Sequence, residues 1–142
     1  MCRLSRFGRL VRHDALWVKR EDLTAPIYGG NKGRNLEFLL GEARARGAER
    51  IVTLAPLGSN FVAALAAQAG RWGIPVEVAH FVPARGPQVD AHARFAAAHG
   101  AKLRAWSGRA GLLPAAWNAW RLSQRPGAYW IAPGGSSPTG VL

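Results

Sequence analysis

The chain reads as an α/β fold with a mostly parallel sheet, and three observations predict it. Short β-favouring runs alternate with segments of helical periodicity, most helical segments close at a glycine, and 49% hydrophobic residues against 19% charged can fill a core within 142 residues. Strands that alternate with helices pair in parallel through right-handed crossovers.

The elements follow in order. The first twelve residues are basic, contain no acid and lack an apolar signal core, so they are read as part of the fold. Ala15-Leu16-Trp17-Val18-Lys19 is a strand, broken by the turn chemistry of Glu21 to Pro26. Leu36, Leu39, Leu40 and Ala43 keep helical spacing between Arg34 and Arg46, and Gly47 suits a left-handed cap. Ile51 to Ala55 is a buried strand with Pro56 and Gly58 at its exit, and Phe61 to Trp72 is an alanine-rich helix stopped by Gly73. Val76 to Val82 alternates as a strand. Gln88 to His99 is a helix closed by Gly100, and Lys102 to Trp106 is the next strand. Leu112 to Leu122 is helical with Pro114 in the first turn, and Tyr129-Trp130-Ile131 is a final strand. Pro133 to Gly140 is then a loop with only Val141 and Leu142 behind it. Loops connect elements, so the sequence is expected to be cut short.

Composition narrows the function classes. A net charge of +11 attracts polyanions, which opens a basic nucleic-acid-binding module as one reading. The arginines are dispersed rather than blocked, and the six tryptophans lie mainly in apolar segments or at element ends. Core packing is therefore expected of them ahead of base stacking. The single cysteine, Cys2, excludes an internal disulfide framework and points to a reducing compartment, with the cytoplasm as the expected location. No apolar run approaches the ~20 residues a bilayer span needs. No metal is expected, because His92 and His99 on one helix stand about 10 Å apart. Phosphate-loop, dinucleotide and nucleophile-elbow motifs do not occur.

Two short motifs carry chemistry. Gly29-Gly30-Asn31-Lys32 closes a loop into a helix, in a chain whose basic residues are 16 Arg and only Lys19, Lys32 and Lys102. An amine condenses with a carbonyl where a guanidinium does not, so Lys32 is the candidate for that role; a lysine in the first turn of a surface helix is the plainer reading. Gly58-Ser59-Asn60 sits at a strand-to-helix turn, where backbone N–H groups and the positive helix end attract a carboxylate or phosphate. Ser and Asn are also common helix caps, which gives the plain alternative there. The Pro133–Gly140 loop is glycine-rich, but Pro133 and Pro138 lack N–H donors, so a phosphate nest is not expected.

Taken together, the motifs match a known pattern. Trp17-Val18-Lys19-Arg20-Glu21-Asp22-Leu23, Gly29-Gly30-Asn31-Lys32, Leu36-Glu37-Phe38-Leu39-Leu40, Gly58-Ser59-Asn60 and Pro133-Gly134-Gly135-Ser136-Ser137-Pro138-Thr139-Gly140 occur in this order. They resemble the 1-aminocyclopropane-1-carboxylate deaminase and D-cysteine desulfhydrase family of pyridoxal-phosphate enzymes. The resemblance implies a three-layer, tryptophan-synthase-β-like architecture of fold type II and pyridoxal 5′-phosphate as cofactor. By the same resemblance Lys32 is the catalytic lysine that bonds the cofactor and later shuttles a proton. Asn31 and Asn60 are cofactor-binding, Asn60 through the 3′ oxygen, and Gly58, Ser59 and Asn60 hold the substrate carboxylate. The implied reaction on a small amino acid is β-elimination or cyclopropane ring opening, giving a 2-oxo acid and ammonia.

The resemblance also divides the chain. Residues 1–34 belong to the large cofactor domain, 35–131 to a small mobile α/β domain and 132–142 to the return segment. Phe61 stands where relatives usually carry His or Gln, and it can neither donate nor accept a hydrogen bond. The family's Gly- and Thr-rich phosphate loop, its pyridine-nitrogen partner and its downstream tyrosine have no counterpart here, so an N-terminal fragment is expected. The alternatives are a non-catalytic remnant or a subunit completed by another chain. Relatives are typically dimers.

Overall fold

The computed structural model describes residues 1–13, 15–82 and 85–141. The chain order is β1 (Cys2–Arg3), α1 (Ser5–Leu10), β2 (Trp17–Val18), α2 (Lys32–Ala45), β3 (Arg50–Pro56), α3 (Asn60–Gly70), β4 (Val76–Val82), α4 (Pro87–Ala98), β5 (Ala101–Ser107), α5 (Leu112–Ser123), β6 (Ala128–Ile131) and α6 (Pro138–Val141). β3 to β6 form one parallel sheet in the order β5-β4-β3-β6, with Ile51 opposite both Val76 and Tyr129. β1 and β2 make a separate antiparallel pair.

Alternation along each strand divides the core between two faces. Ile51, Ala55, Val76, Val78 and Ile131 pack with Leu36, Leu39, Leu40, Phe61 and Leu65 of α2 and α3. Leu54, Ala79 and Phe81 turn the other way, onto Ala115 and Ala119 of α5. The result is the expected three-layer α/β sandwich. α3 is its centre. Every residue from Phe61 to Ala67 is buried, because the helix lies between the sheet and its neighbours α2 and α4, and a helix apolar on all sides is a buried one.

The chain steps from β3 to β4 to β5 through α3 and α4, then returns through α5 on the opposite face to lay β6 beside β3. The direction of winding therefore reverses between β3 and β6. In open parallel sheets the loops leaving the strand carboxyl ends diverge at such a point and leave a crevice for a ligand.

Three expectations change. The basic N-terminal stretch contains a helix, α1, in addition to a strand. The Pro133–Gly140 segment does not end as an open loop: residues 133–135 form a 3-10 turn and α6 follows, one turn long, with Leu142 outside the described residues. No tryptophan is buried. Trp17, Trp72, Trp117, Trp120 and Trp130 are exposed and Trp106 is half-buried. The buried side of α5 is filled by Ala115, Ala119 and Leu122, so Trp117 and Trp120 project outward and stack on each other at 4.9 Å.

Among the described residues no helix is long and apolar enough to cross a membrane, and no cluster of three metal-ligating side chains occurs.

Candidate active site at the crest of the sheet

The loop that delivers Lys32 is folded back on Glu21. The Glu21 carbonyl accepts the Gly30 N–H at 2.7 Å and the Thr24 hydroxyl at 2.6 Å, while its carboxylate takes Arg34 Nε at 2.9 Å. Gly29 lies so close to the Asp22 carbonyl that a Cβ there would stand 2.1 Å from its oxygen. The Lys-Arg-Glu-Asp and Gly-Gly-Asn-Lys motifs are thus two sides of one compact turn. Lys32 is the first residue of α2, which runs unbroken to Ala45 across position 34. Its half-buried side chain donates from Nζ to the Gly134 carbonyl at 3.4 Å, on the loop leaving β6.

Gly58, Ser59 and Asn60 form the turn leaving β3. Ser59 has the extended backbone of a helix N-cap (φ −60°, ψ 125°), yet its side chain makes no cap hydrogen bond. The plain reading of this serine as a cap is therefore not realised in its bonding. The helix ladder starts with the Ala63 N–H bonded to the Ser59 carbonyl at 3.1 Å, so the N–H groups of Asn60, Phe61 and Val62 lie ahead of it at the positive helix end.

The two motifs are joined indirectly. The Tyr28 hydroxyl, four residues before Lys32, donates to Asn60 Oδ1 at 2.8 Å. From the other side Gly135, next to the Lys32 contact, packs against Phe61 and Leu39, with 3.0 and 3.2 Å left to a would-be Cβ. Phe61 is thereby buried, its ring closing the floor under the 133–135 turn. Asn31 is exposed and makes no cap hydrogen bond. Lys32, Ser59 and Asn60 gather around one crest, with Asn31 on its outer side.

The sequence reading missed Tyr28 and His92. His92 of α4 places Nδ1 3.0 Å from the Gly58 carbonyl; a carbonyl only accepts, so Nδ1 carries the proton. Beneath the same turn, buried His80 has Nδ1 3.0 Å from the Ala55 carbonyl, with Nε2 lacking a partner. Burial pushes its pKa below the usual 6.5, against the opposing pull of the Ala55 and Pro56 backbone.

The whole chain, residues 1–142, is matched by the family model described as pyridoxal-phosphate dependent enzyme. The chain belongs to that family. It is 46% identical over 86 residues to a nocardicin C-9′ epimerase of Nocardia uniformis subsp. tsuyamanensis, a match covering 61% of this chain and 26% of the epimerase. It is 39% identical over 72 residues to a D-cysteine desulfhydrase of Yersinia pestis, covering 51% and 22%. The crystal structure of a homologue of ACC (1-aminocyclopropane-1-carboxylate) deaminase superposes with a TM-score of 0.75 at 28% identity, covering 99% of this chain and 43% of that one. The chain thus spans less than half the length of these relatives.

The family is pyridoxal-phosphate dependent, and the residues at the crest fit the reacting end of that cofactor. Its aldehyde calls for an amine and its ring oxygen for a donor, and the Lys32 amine and the Asn60 carboxamide are groups of those kinds. The 133–137 turn does not fit the phosphate end. The N–H groups of Gly135, Ser136 and Ser137 are already bonded to the carbonyls of Ala132, Pro133 and Gly135.

Proposed function

We propose that this chain supplies the lysine side of a pyridoxal-phosphate enzyme that breaks a bond at Cα of a small amino acid. The products are a 2-oxo acid and ammonia, by β-elimination or cyclopropane ring opening. The observation that carries the reading is the Lys32 amine held 3.4 Å from Gly134 O at the β3/β6 reversal, with the uncapped end of α3 at the same crest. Pyridoxal phosphate, when bound, supplies a sink for the electron pair released at Cα. Lys32 would hold it through the amine, and the same amine would move a proton at Cα. Ser59 Oγ and the N–H groups at the start of α3 bind the substrate carboxylate, since a positive helix end favours an anion. The Asn60 amide donates to the ring oxygen, and Phe61 keeps water out from below. In this reading residues 35–131 act as the small domain carrying the carboxylate end.

Borohydride reduction of the chain mixed with pyridoxal phosphate, followed by peptide mass analysis, tests this. With only three lysines, the label is expected on the Lys32 peptide and not in Lys32→Ala. Equal labelling of both proteins removes Lys32 from its role.

Similarity to the nocardicin epimerase favours a second outcome from the same first step, namely return of the proton to the opposite face of Cα. Turnover in D2O separates the two. Deuterium at Cα without 2-oxo acid marks epimerisation, and 2-oxo acid with ammonia marks elimination.

A further inference from the structure

We propose that Tyr28 and His92 are positioning residues that brace the Gly58–Asn60 turn against the Lys32 loop, with Tyr28 fixing which end of the Asn60 carboxamide is presented to the cofactor. This rests on the reading of Asn60 given above.

A carboxamide has an accepting and a donating end of nearly the same shape, and rotation by half a turn exchanges them. An oxygen anion accepts only, so one of the two orientations is useful. The structure pairs Tyr28 with one of them. Its hydroxyl donates to Asn60 Oδ1 at 2.8 Å, occupying the accepting end and leaving the NH2 as the free one. Burial raises the Tyr28 pKa above the usual 10.0. Tyr28 itself holds a left-handed backbone (φ 56°), rare for a residue with a side chain, and the neighbouring loop is tied down by Gln68 Nε2 donating to the Ile27 carbonyl at 2.8 Å.

His92 joins the second arm. Its Nδ1–H holds the Gly58 carbonyl, while its ring meets the edge of the Tyr28 ring at 6.4 Å and 76°. On the other side of the same peptide the Ser59 N–H is bonded to the Pro56 carbonyl at 3.2 Å, so the Gly58–Ser59 peptide is held at both edges. Tyr28 also leans on Phe95, 5.2 Å away. One helix, α4, therefore steadies both the turn and the tyrosine that orients it.

Tyr28→Phe tests the brace because it keeps the ring contacts and removes one hydroxyl. Two readouts are needed: equilibrium affinity for pyridoxal phosphate, and the NMR resonances of the Asn60 side-chain amide in the cofactor-free chain. In Tyr28→Phe the affinity should fall about fivefold, the worth of one ordinary hydrogen bond, and the Asn60 amide pair should move toward the position of a free asparagine. Asn60→Ala should weaken binding at least as much, with Tyr28→Phe adding nothing on top of it. His92→Leu should broaden the Gly58 and Ser59 amides, and His92→Asn, whose amide N–H stands near the Nδ1 position, should restore them. An unmoved Asn60 amide pair in Tyr28→Phe overturns the brace, as does unchanged affinity in Tyr28→Phe alongside a loss in Asn60→Ala. Unchanged affinity in both variants overturns the assignment of Asn60 itself, and the brace with it.

Discussion

Gly58→Ala puts the geometry of the crest to a quantitative test. Gly58 has φ +77°, and a Cβ on it would stand 2.6 Å from Val89 Cα and 2.9 Å from Val89 O, both backbone atoms of α4. Two costs combine. The left-handed backbone costs an alanine about 1 kcal/mol. Ordinary carbon contacts need about 3.5 Å, so α4 must retreat by about 1 Å, and overpacking of that kind costs about 1–3 kcal/mol. The sum is a loss of about 2–4 kcal/mol of stability. Gly47→Ala is the internal control, because Gly47 has φ +66° with nothing within 4 Å of its would-be Cβ. It should lose only the backbone share, about 1 kcal/mol. Urea unfolding of the three proteins at equal slope gives both numbers. If Gly58→Ala proves no more damaging than Gly47→Ala, α4 does not press on the turn, and the reasoning that makes α4 its support fails.

Two further expectations concern pH. Tyr129 has its pKa pushed up to about 12, by burial first and then by its hydrogen bond to Glu42 and the Glu42 charge. Its folded pKa exceeds the unfolded 10.0, so its stabilising share is complete below pH 10 and lost as pH rises through about 12; tyrosinate absorbance should show this late titration, and Glu42→Gln should bring it earlier. His80 has a folded pKa below 6.5, so its share is present above pH 6.5 and lost as pH falls through the folded value, by at most about 1.4 kcal/mol per pH unit for one proton. Unfolding free energy against pH should flatten there in His80→Gln, and an unchanged slope would show that this imidazole does not titrate differently in the two states.

Much of the fold was legible because its signals are local. Gly47, Gly73 and Gly100 each follow a helix with a left-handed backbone, where a glycine stop was expected. The apolar runs at Ile51 and Val76 lie in strands of a parallel sheet, where burial on both faces removes alternation as a requirement. The tryptophans were misplaced because apolar surface was taken for burial. The spacing of Ala115, Ala119 and Leu122 marks the inner side of α5, and small residues let that helix lie close to the sheet while Trp117 and Trp120 fall on the opposite side. α1 was overlooked in the same way. Leu4, Phe7 and Val11 repeat at helical spacing, but the arginines between them drew attention to charge. At the site, Lys32 and Ser59 stand at turns that sequence locates. Tyr28 with Asn60 and His92 with Gly58 lie 32 and 34 residues apart, and only the packing of the Tyr28 loop and of α4 against the start of α3 brings those pairs together.

That packing makes the two halves of the crest physically unequal. The proposed carboxylate end is the start of α3, whose Phe61, Val62 and Leu65 are locked in the core, and fully burying such side chains contributes about 1.5–3 kcal/mol each. Lys32 starts α2, which is anchored by buried Leu36, Leu39 and Leu40, but the loop that delivers it hangs on polar contacts: Gly30 to Glu21, Arg34 to Glu21, Gln68 to Ile27, Tyr28 to Asn60 and Lys32 to Gly134. Each nets at most about 1 kcal/mol, because water competes for the same groups. In the proposed function a lysine that moves a proton needs such freedom, whereas a substrate carboxylate kept in one orientation needs a fixed helix end. The division between an apolar core under α3 and a polar tether around Lys32 supplies both. The Tyr28–Asn60 bond is where the tethered half is referenced to the rigid one, so the loss of one hydroxyl there should disturb the site well before it disturbs the fold.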